Sequence, residues 1–71
     1  MTTREIFRNN LLRLIYKKKL LQVDLGVKIG VDARTVSAYA CGRIFPTAER
    51  LDLIAEALGV KPYQLIMESE E

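Results

Sequence analysis

The chain has 71 residues, 49% hydrophobic and 28% charged, with four Gly, two Pro, one Cys and no His. That length supports one domain with a modest core and excludes a multidomain enzyme, and the composition is globular and not disordered. Eleven basic residues stand against nine acidic ones, but Glu68, Glu70 and Glu71 fall in the last four positions, so a body over 1–67 is clearly basic and a short tail over 68–71 acidic, a balance that suits a polyanionic partner.

The first element places Phe7, Leu11, Leu14 and Ile15 on one helical face, with Arg8, Arg13 and Lys17 elsewhere. Thr2 followed three residues later by Glu5 has the form of a capping box and starts the helix there. The run LLRLIY is broken by Arg13 and closed by Lys17, Lys18 and Lys19, far short of the roughly 18 apolar residues that a membrane span needs. MTTREIFRNN also lacks the apolar core of a signal peptide, so the chain reads as cytoplasmic, with no membrane partner. The three lysines lie in the last turn or just beyond it, where cations suit the helix dipole, and a solvated helix end is a plainer account of them than a dedicated contact to a polyanion.

A second helix is expected at about 22–29, with Leu25 and Ile29 four apart and Gly30 placed to end it in a left-handed conformation. A third follows almost at once, at about 33–41: Asp32 is a good N-cap, Val36, Tyr39 and Ala40 share one face, and Gly42 terminates it. After RIFP, Thr47 caps a fourth helix whose apolar stripe is Ala48, Leu51, Ile54, Ala55 and Leu58, ended by Gly59. Glu49, Asp52 and Glu56 line its other side as a solvated acidic face. In KPYQLIM, Pro62 sits in a first helical turn and Leu65 and Ile66 are free to pack on the core. The expected fold is all-α, a compact five-helix domain over 1–67, with no strand signal and no repeat.

Two short helices across a brief turn, in a small basic helical domain, suggest a helix-turn-helix, whose second helix lies in the DNA major groove. Gly30 relieves the turn, Leu25 and Val36 seal the contact, and Gly26 lets the backbones approach closely, since a mid-helix Gly otherwise costs about 1 kcal/mol relative to Ala. If Val36, Tyr39 and Ala40 face inward, Arg34, Ser37, Ala38 and Cys41 form the opposite stripe, with Ala33 at its leading edge. The lone Cys41 forms no internal disulfide, and the absence of His removes the common zinc patterns, so no metal or cofactor is expected. No catalytic set is expected either, because there are no clustered carboxylates and no base beside Cys41.

The segments LLQVDLGVKIGVDARTVSAYACGRIFP and LDLIAEALGVKPYQL resemble the lambda-repressor and Cro family of helix-turn-helix regulators, also called the Xre family, over roughly residues 11 to 66. Gln22, Leu25, Gly30, Val31, Val36, Ser37, Gly42, Pro46, Leu51, Ala55, Leu58, Gly59, Val60 and Leu65 stand where the family pattern expects them. Three departures matter. Leu21 replaces the usual Ser or Thr cap of the second helix, a loss of about 1 kcal/mol that Asp24 offsets in part through the dipole. Gly26 replaces the usual Ala. Ile15 and Ala40 stand where many members pair an Arg with a Glu, a double replacement that can be neutral or stabilising where a single one would strand a charge.

The resemblance implies a sequence-specific regulator of double-stranded DNA, a repressor occupying an operator through major-groove readout by the third helix. It assigns Ala33, Arg34 and Ala38 to base reading, with Ser37 on a base or a phosphate. Arg34 suits O6 and N7 of guanine, and the alanines suit thymine methyls. Gln22 resembles the family's phosphate-binding glutamine; Arg43, Lys19 and Lys28 are further phosphate candidates. Family members bind as two-fold dimers, and Ile44, Phe45, Tyr63 and Met67 are apolar groups available for a homodimer surface, though Ile44 and Phe45 could equally fold back over the core. A cytoplasmic, nucleoid-associated protein of bacterial or phage origin, without a small-molecule ligand, follows. The short length suggests a stand-alone Cro-like protein. The competing reading is an antitoxin, a protein-binding module that uses DNA binding for autoregulation.

Overall fold

Helix α1 (Thr3–Lys18) begins where its capping box requires. The Glu5 backbone N–H donates to the Thr2 hydroxyl at 3.2 Å, while the Thr2 backbone N–H donates to the Glu5 carboxylate at 3.1 Å. The structure, a computed structural model, describes residues 1–68 and continues with α2 (Gln22–Ile29), α3 (Ala33–Ala40), α4 (Ala48–Leu58) and α5 (Tyr63–Ile66). The described residues are helix, turn and loop, as expected for an all-α fold, and no helix among them is long and apolar enough to cross a membrane. Of the acidic tail expected over 68–71, only Glu68 belongs to the described residues.

Four helices end in the same way, with an amide after the helix bonding a carbonyl five residues back: Leu20 to Ile15 at 3.1 Å, Val31 to Gly26 at 2.9 Å, Arg43 to Ala38 at 3.0 Å and Val60 to Ala55 at 3.0 Å. This closure needs a left-handed residue just before the donor, and Gly30, Gly42 and Gly59 provide it in three cases. In the fourth that residue is Lys19, at φ 55°, the one non-glycine with positive φ among the described residues. Helix α3 ends one residue short of the expected Cys41, which is the cap preceding left-handed Gly42.

The core draws Phe7, Leu11 and Leu14 from α1, Leu25 and Ile29 from α2, Val36, Tyr39 and Ala40 from α3, Ile54, Ala55 and Leu58 from α4, and Leu65 from α5. Ile15 packs against its edge, so both positions that lack the family's ion pair are absorbed by apolar packing. Ala48, expected in the stripe of α4, is exposed instead, because it is the first residue of the helix and points away before the packed turns begin. The Phe7 ring meets Tyr39 and Phe45 edge-on, at centroid distances of 6.3 and 5.2 Å.

Asn10, one polar side chain on the inner face of α1, is buried, which periodicity did not indicate. Its Nδ2 faces the carbonyls of Gln64, Leu65 and Met67 at 3.2, 3.0 and 2.9 Å. One amide with two protons thus serves the end of a four-residue helix too short to satisfy its own carbonyls.

Candidate nucleic-acid interface

The geometry of α3 is set at its N-terminus. Asp32 lies in extended conformation, and its Oδ1 accepts from the Thr35 backbone N–H at 2.9 Å and from the Thr35 hydroxyl at 3.0 Å. These bonds, the backbone one foremost, hold the Asp32 carboxyl below its ordinary value, and the positive charge of Arg34 adds to the effect. The helix is thereby fixed to start at Ala33, so the register of every later side chain on it is fixed too.

The angle between α2 and α3 is set by close backbone contact. A Cβ built on Gly26 would lie 2.6 Å from the Val31 carbonyl oxygen, closer than real Cβ atoms come. The mid-helix glycine therefore exists for this approach, as its position suggested. Leu25, Ile29 and Val36 are buried at the same junction.

On this frame Arg34 is exposed on the first turn of α3, with Ala33 and Ser37 half-buried beside it and Cys41 exposed at the far end. Ala38 departs from the expected stripe: at 8% exposure it is buried. Its carbonyl accepts from Arg43 where the chain doubles back at Gly42, and a methyl on that turn has little surface left to offer. The open face of α3 is thus narrower than the i, i+3, i+4, i+7 stripe, and is centred on Arg34.

The cationic and polar candidates surround it without forming one cluster. Gln22 is half-buried at the first position of α2, whose N-cap, Leu21, makes no side-chain cap bond, so the first amides of α2 are left open. Lys28 is exposed in the last turn, about 9 Å further along the same helix. Lys19 and Arg43 are exposed in the turns after α1 and α3. Arg4 was not among the expected residues: its guanidinium donates to the Arg43 carbonyl at 3.4 Å, and Arg8 packs its stem within 3.3 Å of a Cβ built on Gly42. Two cations of α1 therefore stand at the end of α3, where positive charge suits the dipole. Only the fold brings together residues 39 positions apart. Of the expected dimer residues, Ile44, Phe45, Tyr63 and Met67 are all partly exposed, and Phe45 also leans on Phe7. Among the described residues, no group of His, Cys, Asp and Glu is arranged to hold a metal ion.

Residues 11–65 match the helix-turn-helix family model. The fold is similar to the crystal structure of a hypothetical transcription factor, NHTF, from Neisseria, at TM-score 0.87 and 28% identity over 94% of this chain and 77% of that one. It is also similar to the solution structure of the SOS-response transcriptional repressor LexA from Eubacterium rectale, at TM-score 0.90 and 24% identity over 96% of this chain and 72% of that one. No curated protein matches the sequence.

Proposed function

The chain belongs to the helix-turn-helix family of lambda-repressor and Cro (Xre) type, a family of DNA-binding transcriptional regulators and not of enzymes, and on that premise we propose that it is a sequence-specific repressor that occupies an operator as a two-fold dimer. The observation that carries this reading is the exposed Arg34, on the first turn of a firmly capped α3 and flanked by the small Ala33 and Ser37. Small neighbours let the helix approach base edges closely, and a guanidinium can then donate two hydrogen bonds to O6 and N7 of one guanine.

In this reading Ala33 and Ser37 line the approach, and Ala38, buried against the turn at Gly42, offers the bases little surface. Gln22, with the open amides of α2, grips a phosphate, and Arg43, Lys19 and Lys28 grip others. Two copies, associated through Ile44, Phe45, Tyr63 and Met67, place their α3 helices in successive major grooves about 34 Å apart. Such a protein works in the cytoplasm, on the nucleoid, with residues 1–67 as the binding domain and 68–71 as an acidic tail.

Selection of bound duplexes from a random pool, followed by footprinting, tests the proposal. It is expected to return a two-fold site in which Arg34→Ala erases preference at one guanine per half-site, a loss of about 1 to 3 kcal/mol, while helicity is unchanged. Equal affinity of the unmutated protein for selected and random duplexes overturns it. A strict monomer in sedimentation, with and without DNA, removes the dimer.

A further inference from the structure

We propose that an open groove beside the α1–α2 turn is a docking site for an acidic segment of another protein, one that carries large apolar side chains among its carboxylates. The groove, of about 940 Å³, runs along the C-terminal half of α1 and the turn after it. Its apolar wall includes Leu12, Tyr16, Leu20 and Leu21, and every charged side chain lining it is a cation: Arg13, Lys17 and Lys19.

Three observations point to an occupant of this chemistry. First, Tyr16 and Leu21 are 86% and 65% exposed and Leu12 is exposed beside them, so a contiguous apolar surface faces water along the groove. Second, the Nε of Arg13 is buried and has no hydrogen-bond partner. A buried cationic N–H without an acceptor is costly, and the side chain that carries it lines the groove, where a carboxylate would pair with its guanidinium. Third, two successive local choices are unfavourable and both furnish the groove. Lys19 holds a left-handed conformation where the other three such turns use Gly. Leu21 holds the N-cap of α2 without a capping bond, where a Ser would form one. Ala or Gly at Leu21 would leave the α2 amides equally open for a phosphate, so the exposed Leu side chain itself needs a reason.

Charge decides between occupants. Two copies meeting groove to groove across a two-fold axis would set cation against cation. A nucleic acid backbone would find neither apolar complementarity nor a polar floor for its sugars. An acidic segment with Leu or Phe satisfies both the wall and the charges.

The test uses the full chain and a labelled peptide carrying Leu and Phe at helical spacing with Glu between them, beside a twin in which every Glu is Gln. Saturable binding is expected, weakening as salt rises and about tenfold weaker for the twin, with amide shifts confined to α1 and the α1–α2 turn. Tyr16→Ser and Leu21→Ser should each weaken it similarly. Leu21→Ser should also raise Tm by capping α2, so its lost binding cannot arise from unfolding, and Tyr16→Ser should leave affinity for a random duplex unchanged. Equal binding of the twin, shifts elsewhere or absence of saturation overturns the proposal. Self-association that Leu21→Ser abolishes, or loss of duplex affinity in Tyr16→Ser, would assign the groove to a second copy or to DNA and overturn it as well.

Discussion

A Cβ on Gly26 would stand 2.6 Å from the carbonyl oxygen of Val31, and that contact sets how closely α2 and the start of α3 approach. Gly26→Ala brings two opposed effects: a gain in helix propensity of about 1 kcal/mol and an overpacking cost of about 1 to 3 kcal/mol. The clashing atom is backbone inside a tight turn, whose own bond from Val31 N–H to the Gly26 carbonyl is 2.9 Å long, so it cannot swing aside as a side chain would. The expected outcome is net destabilisation, read as a lower Tm, although Ala is the family's usual residue. A higher Tm would show that the turn relaxes freely.

Asn10→Ala leaves the carbonyls of Gln64 and Leu65 in α5, and of Met67 just after it, without their shared donor. A cost of about 1 to 3 kcal/mol is expected, with faster amide exchange at Leu65 and little change at α3. Asn10→Asp should be worse at neutral pH, since a carboxylate would face carbonyl oxygens. Denaturant melts of both variants check the order.

Lys19→Gly relieves a left-handed non-glycine and should stabilise the fold by about 1 kcal/mol. The same change should weaken binding to every duplex alike and reduce the salt slope by about one, as Arg43→Ala should without the gain in stability. Thermal melts and salt titrations of binding separate the two variants, and an unchanged slope in both removes them from the phosphate contacts.

Acid should loosen the starts of α1 and α3. The carboxyls of Glu5 and Asp32 are held below their ordinary values of 4.5 and 3.8, chiefly by the backbone bond each accepts. A carboxyl lowered by folding contributes stability that is complete above its unfolded value and lost as pH falls through the folded one. Asp32→Asn keeps the cap but removes that dependence at α3, so the Thr35 amide signal should stay constant in acid where the wild-type signal shifts. An identical acid profile in both proteins would place the dependence elsewhere.

The caps were legible in the chain because each rests on residues close in sequence: Thr2 with Glu5, Asp32 with Thr35, Thr47 with Arg50. The reach of Arg4 to Arg43 and of Asn10 to α5 were not, since no local period marks a polar side chain whose partners lie 39 to 57 positions away. Ala38 was misplaced for a related reason. Helical spacing assigns a side to each residue but not the path of the loop that follows, and the turn at Gly42 narrowed the open face.

The amino-acid order alone thus determined the five helices, the joint between the second and third, and the exposure of Arg34, because these depend on short-range spacing, capping and one apolar face per helix. The tertiary structure decided which small residue of α3 stays open, what the buried Asn10 bonds, which cations gather at the end of α3, and that Leu21 and Tyr16 share a cationic groove. Those features arise from side chains brought together by packing between elements, where van der Waals fit and unsatisfied polar groups, and not periodicity, select the arrangement.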